Sequence, residues 1–266
     1  MPSSNPAFSR GFPGARNEQT ATWDQGAQYG APAQQNPYAQ PSPYAASGTQ
    51  YMTMDDVVTK TGISFLVTVL AAAAVWALPG QTDWGLAFPA MIAALVVGLV
   101  ISFKQIANPA ATLAYAALMG AAVGTISEAF NTMFPGIVVQ AVIGTFGVFF
   151  GMLVVYKTGA IRVTPKLTRW IVGAMFGVLA LMLVNLVASL FGFNTGLRDG
   201  GPVAIIFSLV VIGVAAFSLL LDFDMADEAI RRGAPPKFAW YIAFGLLVTV
   251  IWLYLEILRL LSYFRE

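Results

Sequence analysis

From about Thr61 onward the chain is a succession of apolar runs divided by short polar breaks. Seven runs can be delimited, roughly 61–79, 85–103, 110–133, 137–156, 169–192, 203–222 and 238–261. Each approaches the ~20 residues that a helix needs to cross a hydrocarbon core of about 30 Å. Apolar positions are continuous within each run and do not alternate. That pattern selects helices over barrel strands, the other architecture that satisfies backbone groups in lipid. It predicts an all-α integral membrane protein with seven transmembrane helices over residues 51–266. The tightest connection falls at Phe134-Pro135-Gly136, between the third and fourth runs.

Residues 1–50 have the opposite character. They hold seven of the fifteen prolines, with abundant Gln, Ala, Ser, Gly and Asn, and Tyr29, Tyr38 and Tyr44 spaced among them. No apolar periodicity survives, and such a segment buries too little surface to fold by itself. It is expected to be a disordered cytoplasmic tail. No apolar stretch follows its early charges, so it does not read as a signal peptide.

Composition agrees with the pattern. The 266 residues are 58% hydrophobic and 10% charged, with mean hydropathy +0.72. A soluble domain carries about a quarter charged residues, so the lipid bilayer is the expected surrounding. A net charge of +1 argues against a nucleic-acid surface. The basic residues are distributed unevenly. Alternate loops place Lys60, Lys104, Lys157, Arg162, Lys166, Arg169, Arg231, Arg232 and Lys237 on one side, against Arg198, Arg259 and Arg265 on the other. By the positive-inside rule, the N-terminus is expected in the cytoplasm and the C-terminus outside the cell membrane. Gly120/Gly124, Gly147/Gly151 and Gly173/Gly177 each have the spacing that lets helix backbones approach closely. Three such pairs on consecutive helices predict a tightly packed bundle.

The chain contains no Cys and no His. Disulfides, thiol nucleophiles, imidazole bases and zinc sites built on Cys or His are therefore excluded. The seventh run has no Lys for a retinal Schiff base, and no phosphate-binding Gly-rich loop is present. An enzyme is not expected, nor a bound cofactor. Proton or cation chemistry would have to use carboxylates.

Three acids fall on the apolar runs, where each costs about 2.5–3.5 kcal/mol and so becomes a functional candidate. They are Glu128, Asp222 and Glu256. At 1.5 Å per residue, Glu128 and Glu256 lie roughly 27 Å from the inner ends of their helices, in the outer half. Asp222 arrives at the inner boundary. Each has an ordinary explanation too. Arg259, three residues after Glu256, makes a local ion pair available. Glu128 could reach the outer interface or close the turn before Asn131. Asp222 could open a cytoplasmic loop that Asp224, Asp227 and Glu228 keep solvated. On the functional reading, Glu128, Asp224 and Asp227 would line an ion path.

The segments Asn108–Ser127 (NPAATLAYAALMGAAVGTIS), Gly144–Lys166 (GTFGVFFGMLVVYKTGAIRVTPK), the acidic end of the sixth run and Trp252–Phe264 (WLYLEILRLLSYF) resemble the Bax inhibitor-1-like family, its bacterial branch in particular. The resemblance spans about 52–264. It implies a central seventh helix ringed by six others and, in some bacterial relatives, a pH-sensitive Ca²⁺ leak. In those relatives two aspartates on the sixth and seventh helices share a hydrogen bond near the cytoplasmic end, and their protonation gates the path. Asp222 matches the first, with Asp224 as a rival. For the second, matching the Leu-Tyr-Leu-acid motif selects Glu256, whereas a gapless helix register selects Thr249.

The expectation is a passive cation conduit, with Ca²⁺ as the favoured ion and with Asp222 and either Thr249 or Glu256 at the gate. The other expectation is a regulatory, stress-linked protein that binds other membrane proteins, such as a protease, and transports nothing.

Overall fold

The computed structural model describes residues 51–77, 84–193 and 195–265; the expected disordered tail, 1–50, lies outside them. Among the described residues there are helices and no strands. In chain order they are α1 (Met54–Ala77), α2 (Trp84–Lys104), α3 (Pro109–Met133), α4 (Ile137–Thr158), α5 (Pro165–Leu190), α6 (Pro202–Arg231) and α7 (Ala239–Tyr263), with a 3₁₀ turn at Pro236–Phe238. All but α2 are long and apolar enough to cross a membrane, while α2 contributes the shorter apolar stretch Phe88–Lys104. The chain is a multi-pass membrane protein.

Local signals set the helix ends. α1 begins seven residues before its apolar run, because Thr53 and Asp56 form a reciprocal cap. The Asp56 amide donates to Thr53 Oγ1 at 3.2 Å and the Thr53 amide to Asp56 Oδ2 at 3.1 Å. Asn108 accepts from the Ala110 amide at 2.8 Å, with Pro109 opening α3. Thr164 and Pro165 do the same for α5. The tight turn after α3 forms as expected. Gly136 takes the left-handed conformation at φ +82°, and its amide donates to Asn131 Oδ1 at 2.9 Å.

α7 is the centre. It packs against α1, α3, α4 and α6, and Leu247, Leu253 and Leu258 on it are fully buried. Most of its residues are buried, as an axial position in a bundle requires. α2 packs on α3, and α5 leans on α6 at the periphery.

Two expectations need correction. First, Asp224, Asp227 and Glu228 do not lie in a loop. α6 runs 30 residues to Arg231 and carries them on its last turns. Arg231 pairs with Asp227 at 3.5 Å and with Glu228 at 3.1 Å, and Arg232 with Glu228 at 2.7 Å. These pairs at three- and four-residue spacing carry the helix past its apolar part. Second, only one glycine pair serves close packing. A Cβ on Gly120 would fall inside contact distance of the Thr68 carbonyl oxygen, and one on Gly124 would lie 2.8 Å from Ala72 Cα. Thus α3 and α1 touch backbone to backbone. Gly147, Gly151, Gly173 and Gly177 face open space, where a Cβ would meet nothing within 4 Å. Their spacing is right, but the helix faces that carry them point away from the bundle.

The start of α1 is fastened to the α6–α7 joint. The Met52 amide donates to the Ala234 carbonyl at 2.8 Å, and Lys60 Nζ donates to the Pro236 carbonyl at 2.6 Å while pairing with Asp56 at 3.1 Å. Met52 is buried beneath this contact.

Candidate functional site

The site is built by three helices. On α7, residues 241, 242, 245, 248 and 249 recur at helical spacing and so share one face. That face meets Asp222 and Met225, one turn apart on α6, and Ser102 near the end of α2. Together they line a cavity of about 180 Å³. Gly245 lies beside the acid, where a Cβ would make ordinary contact, 3.6 Å, with Asp222 Oδ1.

The Thr249 hydroxyl faces the Asp222 carboxyl and donates to the Gly245 carbonyl at 3.2 Å. Asp222 Oδ2 is buried without a hydrogen-bond partner among the described residues, while Thr249 supplies a hydrogen bond to the carboxyl group. A buried carboxylate oxygen left open is costly, by several kcal/mol when charged. The position therefore demands a proton or a cation.

Glu256 is not in this cavity. It lies seven residues beyond Thr249, roughly 10 Å farther along the axis, and its side chain is only 4% exposed. Arg198, from the α5–α6 connection, donates to Glu256 Oε1 at 3.1 Å. Arg259 stands farther off, at 3.9 Å. The structure thus brings Asp222 to Thr249 and Glu256 to Arg198, and does not join the two acids. Glu128 stands on α3 next to Ser127, which shares a 2.7 Å hydrogen bond with Tyr254 of α7. Its Oε2 is buried without a partner among the described residues. Asp224 and Asp227 point to α4, where the Tyr156 hydroxyl donates to Asp227 Oδ2 at 3.4 Å.

A model of the family described as Bax inhibitor 1 like matches residues 5–266. The chain belongs to the Bax inhibitor 1-like family. No curated protein matches it. This Bax inhibitor 1-like chain carries Thr249 opposite Asp222, the position that the gapless register gives to the second aspartate, and among the described residues no second carboxylate lines the cavity.

Sequence reasoning missed most of the cavity lining and the partner of Glu256. Ser102, Tyr241 and Phe244 line the cavity without any local signal of it. For Arg198 a signal existed, since the loop count had already put it on the same side as Glu256.

Proposed function

We propose that the protein is a passive conduit for cations, Ca²⁺ first among them, through the plasma membrane. In this reading all seven helices span, the N-terminus lies in the cytoplasm, and Asp222 guards the inner end. The supporting observation is the open, buried Oδ2 of Asp222 in a cavity between α2, α6 and α7. Thr249 opposite it supplies a hydroxyl and no second charge, so any response to pH comes from one carboxyl and not from a coupled pair. Glu256 is neutralised by Arg198 and holds the outer end together, which leaves Glu128 as the outer acid free to meet a cation.

The test is Ca²⁺ flux into proteoliposomes across pH 6–8 for the parent protein, Asp222→Asn and Glu256→Gln. The conduit requires a parent leakier than empty vesicles and an Asp222→Asn variant altered in rate or pH profile. A parent no leakier than empty vesicles overturns it. The second reading, a regulator that binds another membrane protein, draws support from the open glycine faces of α4 and α5. Bulky substitutions at Gly147 and Gly173 that abolish partner capture without changing flux would favour it.

A further inference from the structure

We infer that the Asp222 cavity is a binding site for a small organic ammonium group, a methylated ammonium or a primary amine, which it binds more tightly than Ca²⁺. The inference rests on the reading of this cavity as the working site, though not on transport through it.

The carboxylate sets the charge of the occupant. Oδ2 of Asp222 is open, and no basic side chain pairs with it among the described residues. A proton or a positive group answers this charge, and the question is which kind of positive group the wall favours. Dehydrated Ca²⁺ takes six to eight oxygens. The side chains of the cavity bring oxygen only from Asp222, Thr249, Ser102 and Tyr241, and the remainder of the wall is apolar. Among the described residues, no group of three or more acids that could hold a metal occurs. A hydrated metal ion gains little from such a wall.

The wall does suit a cation whose charge is spread over carbon. Tyr241 and Phe244 both line the cavity, with ring centroids 6.4 Å apart and planes tilted by 36°. Neither ring is loose. Tyr115 packs edge-on to Phe244 at 4.9 Å, and Phe238 lies against Tyr241 at 5.3 Å. Aromatic faces attract ammonium groups through the ring quadrupole, most strongly where water is excluded. A carboxylate and two fixed rings around one cavity therefore supply both recognition elements. The volume of about 180 Å³ accommodates several waters or one small ammonium ion. At the rim, Met225 and Val248 are exposed, so the cavity opens to the outside of the bundle. The ammonium could thus arrive free or as a lipid headgroup.

The experiment titrates the purified full chain in non-ionic detergent with tetramethylammonium chloride, against NaCl and CaCl₂ at matched ionic strength. Heat or the tryptophan signal is followed. The parent should bind tetramethylammonium saturably and at least 10-fold more tightly than Na⁺. Asp222→Asn should lose at least 10-fold. Tyr241→Leu and Phe244→Leu should each lose about 3- to 30-fold, the span expected of one cation–π contact, while Phe244→Tyr retains binding. Should Phe244→Leu fail to fold, the partly exposed Tyr241 and the Na⁺ comparison still decide. A parent that binds tetramethylammonium no better than Na⁺, or leucine variants that bind like the parent, overturns the inference. Repeating the titration in phosphatidylcholine and phosphatidylglycerol bilayers assigns the source. Affinity lowered only by phosphatidylcholine marks a headgroup as occupant, and equal affinity marks a free ammonium. Ca²⁺ flux measured on the same samples separates the two conclusions. Binding without flux removes the conduit alone, and flux without binding removes this site alone.

Discussion

Adding one methyl group at Gly120 or Gly124 should damage the bundle, whereas the same change at Gly147, Gly151, Gly173 or Gly177 should not. At Gly120 the new Cβ would lie 2.9 Å from both Thr68 Cα and Ala71 Cβ, and closer still to the Thr68 carbonyl. At Gly124 it would lie 2.8 Å from Ala72 Cα and from the Ala72 carbonyl oxygen. Ordinary contact begins near 3.4 Å, and the obstacles are mostly backbone, so no side-chain rotation relieves them. α1 must move away by roughly 0.5–1 Å, which forfeits a quarter to a half of each dispersion contact along the shared face. Each alanine at these two positions should therefore cost about 2–3 kcal/mol, the upper part of the overpacking range. At the four open glycines alanine meets nothing and gains up to about 1 kcal/mol of helix propensity. The assay is unfolding of purified protein in mixed micelles at rising SDS fraction, followed by tryptophan fluorescence. Pairing Gly120→Ala with Ala71→Gly should recover only part of the loss, because the Thr68 carbonyl remains. If Gly120→Ala and Gly124→Ala unfold at the same SDS fraction as Gly147→Ala, the close α1–α3 approach is wrong.

Three further outcomes follow from polar contacts of the same bundle. Arg198→Gln strands a nearly buried carboxylate with only Arg259 at 3.9 Å. It should cost near the lower end of the ~3–5 kcal/mol for a broken buried pair, while Glu256→Gln costs about 1 kcal/mol less because Arg198 turns to solvent; the SDS titration ranks them. Ser127→Ala leaves the Tyr254 hydroxyl buried without its partner and should cost about 1–3 kcal/mol, whereas Tyr254→Phe costs at most about 1 kcal/mol. Ser127 keeps the Val123 carbonyl at 2.6 Å in that variant, and equal losses in the two would refute the contrast. Lys60→Met removes the only side-chain donor to the Pro236 carbonyl among the described contacts. Hydrogen exchange should then quicken over residues 232–238, and unchanged exchange there would show that Met52 alone holds the joint.

The helices were readable because lipid demands long apolar runs, and each run is one helix. Their ends were less so, since caps act through two or three residues. Thr53 and Asp56 extend α1 well ahead of its apolar run, and the Arg231–Glu228 pairing extends α6 beyond its own. The glycine pairs show the limit most clearly. Spacing places two glycines on one face, but nothing local says whether that face looks at α1, as for Gly120, or away from the bundle, as for Gly173. The same holds for the site. Asp222 stood out as a charge in apolar surroundings, yet Tyr241 and Phe244 resembled any other aromatic residues of a buried helix. Their role depends on α2, α6 and α7 meeting, and that is a tertiary fact.

The position of α7 has a consequence for biosynthesis. It is the last of the seven helices to leave the ribosome, and it is the post against which α1, α3, α4 and α6 stand. Until it arrives, Ser127 lacks Tyr254, Asp222 lacks Thr249, and the start of α1 has no joint to fasten to. Insertion and assembly are thus separated in time, with stable helices first placed in the bilayer and side-to-side packing following. The helices made before it form an unfinished ring that closes only once α7 has joined them. A stop codon before residue 239 would leave α1, α3, α4 and α6 without the helix they share as a packing partner.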